Sequence, residues 1–269
     1  MRVSDIVAGL SMAILAIILS YLMVYGGLGP IAPYNLRPLA VSYLNYTYNP
    51  WEIKLSAMAP EGVTSIVWDY RGLDTYFETS VLFIALIGLL ALFRGSNIVQ
   101  GISNKGLSLI VKTTTKIVAP LILVAGVSLA YHGHLTPGGG FQGGSFMTVA
   151  IALIVVAFSI EFIAQKKITI DKLLIIRWIG LIFIVLTAVF LLIKALIFGG
   201  YAYIFQNMIR IGSQYTMPSW FLDRPLGGIL FFFNVSESVA VVGGLSLGIV
   251  LLSLRDEEVK HVIGGEEHE

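Results

Sequence analysis

Six runs of about 20 predominantly apolar residues recur along the chain, at roughly 5–25, 76–94, 112–132, 143–164, 173–198 and 226–253, and each is long enough to cross a bilayer as a helix. Within hydrocarbon every backbone N–H and C=O needs a partner inside the protein, so runs of this kind fold as helices. The pattern therefore predicts an all-α integral membrane protein of about six transmembrane helices. Composition agrees, with 57% of residues hydrophobic and 12% charged, whereas soluble domains carry about 25% charge. The first run exceeds the roughly 7–15 apolar residues of a signal-peptide core, and Leu28 to Pro33 is a poor cleavage context, so it is read as a retained helix.

Basic residues set the orientation. With both termini cytoplasmic, the inner flanks hold Arg2, Arg94, Lys105, Lys112, Lys166, Lys167, Lys172, Arg255 and Lys260, and the outer flanks Arg37, Lys54, Arg71, Arg210 and Arg224. Nine against five satisfies the positive-inside rule and predicts a multi-pass protein in this orientation. The outer connection from Gly26 to Thr75 carries Trp51 and Trp68, rings that favour the headgroup level, and is expected along the membrane surface. Asn45-Tyr46-Thr47 within it matches a glycosylation acceptor, a tripeptide that is common by chance. Gly95 to Gly106 reads as a linker, dividing the chain into two helices (1–100) and four (105–255). An acidic tail, 256–269, is expected to be solvated.

Two exclusions follow from counts. A formal net charge of +1 leaves no basic face for nucleic acid. The absence of cysteine removes thiolate-held clusters, disulfides and thiol catalysis from this chain. No cofactor, zinc motif or nucleophile–base set is visible, so the chain is not read as an enzyme in itself.

Ionisable residues inside apolar runs are costly, about 2.5 kcal/mol or more at the bilayer centre, and each therefore needs a reason. Glu237 lies about eleven residues into the last run, roughly 16 Å deep at 1.5 Å per residue, with Asn234 one turn before it. Two readings stand: a protonated glutamic acid hydrogen-bonded across a helix interface, or a site that exchanges a proton for a cation. Ser236, Ala240, Gly244 and Gly248 recur every four residues beside it, a small-residue stripe that lets another helix approach closely. Lys194 either snorkels to the surface or pairs with Glu237. Lys116 and Arg177, near inner helix ends, are read as headgroup contacts, and Pro120 as a kink that frees a carbonyl.

Between the third and fourth runs lies Tyr131-His132-Gly133-His134-Leu135-Thr136-Pro137-Gly138-Gly139-Gly140-Phe141-Gln142-Gly143-Gly144. So glycine-dense a connector has no core of its own and is shaped by close contact with helices or another subunit. His132 and His134 either pass protons or hydrogen-bond loop carbonyls; with no Cys or carboxylate nearby in sequence, no metal site is assigned. Phe141 and Gln142 are expected to wedge between helices. Thr75-x-x-Glu78 reads as a capping box, and Arg71 and Asp74, three apart, as an ion pair. The same acidic cluster, Asp74 and Glu78, would also attract cations at the outer face.

The step His132-Gly133 followed by Pro137-Gly138-Gly139-Gly140-Phe141-Gln142-Gly143-Gly144 resembles the signature of the B subunit of Mrp-type multisubunit cation/proton antiporters (MnhB-like), shared with membrane subunits of archaeal energy-converting hydrogenases. That resemblance covers about 105–255. Gly62 to Thr75 and then Glu78, with Asp69-Tyr70-Arg71 and Asp74-Thr75, is similar to the C-terminal end of the antiporter A subunit, and this second resemblance covers about 1–95. Together they imply a prokaryotic cell-membrane subunit of a cation, by implication sodium, and proton antiporter. The alternative is the same module in a hydrogenase-like or sulfur-reducing respiratory complex, and a purely architectural subunit is the reading of another class. Implied partners are the other subunits, the lipid bilayer, sodium ions and protons. Ion-path candidates are Glu237, Asn234, Lys194, His132, His134, Asp74 and Glu78; interface candidates are Gly138 to Gly144, Ala240, Gly244 and Gly248. The resemblance also implies that the large partner subunits carry the lysine–glutamate relays that this chain lacks.

Overall fold

A computed structural model describes residues 3–25, 35–93 and 106–253. The expected linker, Gly95 to Gly106, lies outside the described residues except for Gly106, and so does the acidic tail. The chain divides into two units, 1–41 and 42–269. The first holds helix α1, Val3–Val24, which coincides with the first expected span and has Gly9–Val24 as its apolar stretch.

The second unit begins within α2 (Pro38–Thr47) and continues through α3 (Gly62–Thr64) into a π-helical turn, Ser65–Tyr70. Glu61 caps α3 by accepting from the Thr64 N–H. Among the described residues, five helices are long and apolar enough to cross a membrane: α4 (Gly72–Leu92), α5 (Leu109–Tyr131), α6 (Gly140–Phe158), α8 (Ile170–Phe198) and α9 (Ile229–Leu252), with short α7 (Ile160–Gln165) between α6 and α8. A two-stranded hairpin, Trp220–Phe221 with Arg224–Pro225, is the strand structure among the described residues. The chain is an all-α integral membrane protein, as its apolar runs require.

Local chemistry sets these boundaries. Ser108 and Thr169 accept backbone N–H bonds from Val111 and Lys172 and so start α5 and α8. Gly139, at φ 145°, turns the chain into α6 three residues earlier than expected, so Gly140, Gly143 and Gly144 are helical rather than loop. Thr75 is likewise no cap: α4 begins at Gly72, and the Thr75 hydroxyl instead donates to the Val67 carbonyl at 2.6 Å, tying α4 to the π-helical turn. Arg71 and Asp74 do pair, at 2.5 Å, but both are more than half exposed, so the bridge contributes little.

Helix α9 is the centre of the bundle, with α8 and α6 packed along it, α5 packed along α6, and α4 and the π-helical turn closing one side. Gly143 approaches Gly126 and Ala130 of α5 so closely that an added Cβ would lie 2.7 Å from the Gly126 carbonyl oxygen. Trp68 faces the bundle interior rather than headgroups. It is 1% exposed and stacks on Phe233 of α9, ring centroids 4.3 Å apart and planes 6° from parallel. The expected Phe141–Gln142 wedge is also absent, since both side chains are exposed.

The 199–228 segment is fastened to the α2–α3 region by pairs far apart in sequence. Asn207 donates to the Ala57 carbonyl at 2.8 Å and accepts from the Ile229 N–H at 3.0 Å, fixing the first residue of α9. Arg210 donates to the Lys54 carbonyl and pairs with Asp69 at 2.5 Å. Burial pushes the Asp69 carboxyl up from the usual 3.8 to about 6 while Arg210 pulls it back. With proton affinity raised in the folded chain, this group's contribution to stability is complete below pH 3.8 and lost as pH rises through about 6. Arg210→Met leaves that carboxylate without its partner and should cost about 3 kcal/mol at neutral pH. Thermal unfolding of the purified protein in detergent should show the loss, a smaller loss at acid pH, and recovery when Asp69→Asn is added.

Candidate functional site

Glu237 is the ninth residue of α9. The Gly227–Gly228 turn, with φ of 63° and 60°, delays the helix to Ile229, so the carboxyl lies about 12 Å from the helix start rather than 16 Å. It is 7% exposed and borders a cavity of about 330 Å³ between α4, α6, α9 and the π-helical turn. Glu78, Asn234, Trp68, Thr75 and Gln142 share that lining, as do Gly138, Gly139 and Gly140.

The Glu237 carboxyl faces the backbone N–H of Phe141 and the indole N–H of Trp68, with Glu78 as the nearby like charge. Phe141 is the second residue of α6, so the carboxyl meets the positive end of that helix and its free amides. Gly140 makes this possible: an added Cβ there would lie 2.5 Å from both Glu237 Oε2 and the Asn234 carbonyl oxygen. One turn on, Gly144 would meet Val241 and the Ser238 carbonyl at 2.7 and 2.8 Å. The glycine motif is thus a close-approach surface that sets a helix N-terminus against a membrane carboxylate. Asn234, which shares the lining, is 1% exposed, and its Nδ2 is buried without a partner close to Gly133.

The other candidates separate. Lys194 lies 5.2 Å from the Tyr215 ring centroid and forms no ion pair with Glu237; the ion pairs among the described residues are Arg71–Asp74 and Arg210–Asp69. Asp74 is held at the surface by Arg71. His132 is exposed beside Ser128, whereas His134 is buried with Nε2 3.2 Å from the Pro225 carbonyl. Burial lowers the proton affinity of His134. No group of three His, Cys, Asp or Glu able to hold a metal occurs among the described residues.

Arg177 was misplaced by the sequence reading. It is the eighth residue of α8, 1% exposed, and points into the bundle instead of toward headgroups. Its Nη1 donates to the Ala240 carbonyl at 3.0 Å, and its guanidinium lies 5.4 Å from the Phe83 ring centroid. Nε and Nη2 have no partner. Gly244 makes the room, since an added Cβ would lie 2.2 Å from Nη1. The small-residue stripe is the sequence signal that pointed here: Ala240 and Gly244 receive α8, at Gly180 and Arg177, and Leu86 of α4 also approaches Gly244.

Residues 110–247 match the family model described as a domain related to the MnhB subunit of Na+/H+ antiporter. The chain belongs to the MnhB family. It is 26% identical over 228 residues to an uncharacterized protein of Methanocaldococcus jannaschii, covering 77% of this chain and 82% of that one. It is 33% identical over 99 residues to a Staphylococcus haemolyticus protein named for antiporter subunit mnhB2, covering 36% of this chain and 64% of that relative. Among solved structures, a chain of the membrane-bound sulfane sulfur reductase, an archaeal respiratory membrane complex, superposes with a TM-score of 0.61 at 23% identity, covering 95% of this chain and all of that one. A chain of the Mrp complex from Dietzia sp. DQ12-45-1b superposes with a TM-score of 0.58 at 19% identity, covering 95% of this chain but 26% of the other. At these identities the two structural likenesses carry the fold.

Proposed function

We propose that this MnhB-family chain is a membrane subunit of a multisubunit antiporter or respiratory complex in a prokaryotic cell membrane, and that its cavity at Glu237 exchanges protons with a cation, sodium being the first to test. The observation that carries this is the convergence of two carboxylates, Glu237 and Glu78, with the Asn234 amide on one membrane cavity. A carboxyl in low dielectric prefers to be neutral, and a bound cation replaces the proton as its compensating charge. The free amides at the α6 N-terminus beside it are donors for the carboxylate. Residues 1–100 are assigned as an A-subunit-like module and 105–255 as the B-like domain, with both termini cytoplasmic and the α5–α6 loop outside. The chain acts as a transporter subunit and catalyses no covalent reaction itself.

Membership of a respiratory complex is the second reading, favoured by the end-to-end match with a sulfane sulfur reductase chain. Subunits co-purifying with the chain separate the two: an iron–sulfur-bearing arm excludes a stand-alone antiporter. For the cavity itself, sodium-dependent proton movement in vesicles holding the intact complex should be lost in Glu237→Gln. Normal transport by a normally assembled Glu237→Gln complex would overturn the assignment.

A further inference from the structure

Arg177 is not among the residues that line the cavity. Its charge is permanent, and two of its N–H-bearing nitrogens are buried without acceptors. It anchors to the Ala240 carbonyl, one turn beyond Glu237, and packs under Phe83 and beside Leu86, whereas the cavity lining ends at Val241 and Leu82. The guanidinium therefore lies just past the cavity floor, on the side away from the α5–α6 loop. Along the α4–α9 seam it sits against Gly244 and Phe83, just beyond the lining residues Val241 and Leu82.

We propose that Arg177 is a fixed cationic stop beneath the cavity, holding an entering cation at the level of Glu237 and Glu78 and denying it passage along α9. This rests on the cavity being a cation site, and adds the direction of exchange. An electrostatic barrier of this kind excludes cations while leaving the carboxylates free to bind them. Glu78, Phe141 and Gln142 are exposed on the chain, so the cavity opens sideways, between α4 and α6. The cation then passes to a partner subunit instead of crossing the membrane within this chain.

The test uses vesicles containing the intact complex with Arg177→Met, Arg177→Gln or Arg177→Lys, and follows passive efflux of radiolabelled sodium and chloride without a proton gradient. The neutral variants should leak sodium about tenfold faster, the order of effect expected when a unit charge bordering the path is removed at an effective dielectric of about 20. Chloride efflux should not change, and Arg177→Lys should stay tight. Unchanged sodium efflux in assembled Arg177→Met, or chloride rising in step with sodium, overturns the stop and leaves a packing role. If neither neutral variant assembles, Arg177→Lys decides: a sodium-tight complex supports the stop and a sodium-leaky one overturns it. Glu237→Gln separates the two ideas. Coupled transport that survives it removes the cavity assignment, while transport lost there with a tight Arg177→Met removes the stop alone.

Discussion

Gly140→Ala is expected to separate α6 from α9 and to destabilise the protein by about 2 to 3 kcal/mol, the range for forcing volume into a packed interface. The added Cβ would meet the Asn234 carbonyl oxygen and Glu237 Oε2, both at 2.5 Å, and the Glu237 Cβ at 2.6 Å. A side chain can swing away, but the Asn234 carbonyl is part of α9 itself, so the helix must shift. The shift moves the first amides of α6 away from the Glu237 carboxyl, and transport should fall further than assembly. Thermal unfolding and coupled transport, read on the same vesicles, check both halves. Gly88, which has nothing within 4 Å of an added Cβ, supplies the control: Gly88→Ala should be stable and active.

Glu237→Gln carries the second large effect. Glutamine keeps the size and one acceptor oxygen but neither ionises nor carries a proton, so coupled exchange should fall by about 100-fold, the lower range for losing a proton-transferring group. Glu78→Gln should weaken transport less, because Glu78 is exposed at the opening whereas Glu237 is 7% exposed within it. If the two carboxylates serve one cation, the double variant should be no worse than Glu237→Gln alone. Transport rates for the three variants at fixed sodium give this comparison.

The spans and the sheltered position of Glu237 were legible because hydrocarbon allows few exceptions: about 20 apolar residues make a helix, and a carboxyl among them needs shelter. What escaped was pairing across the chain. Asp69 and Arg210 are 141 positions apart, and Trp68 meets Phe233 from another helix, so neither contact leaves a periodic trace. Arg177 was read as a headgroup contact because its distance from a helix end was legible and its facing was not. Gly244 held the missing information, as a space shaped for a guanidinium on a neighbouring helix. Thr75-x-x-Glu78 misled in the opposite way: the cap pattern is present, but Gly72 starts the helix three residues earlier and turns Thr75 toward Val67. The glycine run packs closely against α5 and α9 of this same chain, and its second half is the first turn of α6.

Carbodiimide labelling of the intact complex, located by mass spectrometry, tests the central claim most directly, because the reagent modifies protonated carboxyls in apolar surroundings. Modification at Glu237 should rise as pH falls and be suppressed by one alkali cation at constant pH. Modification of Glu237 that no alkali cation suppresses would contradict that claim.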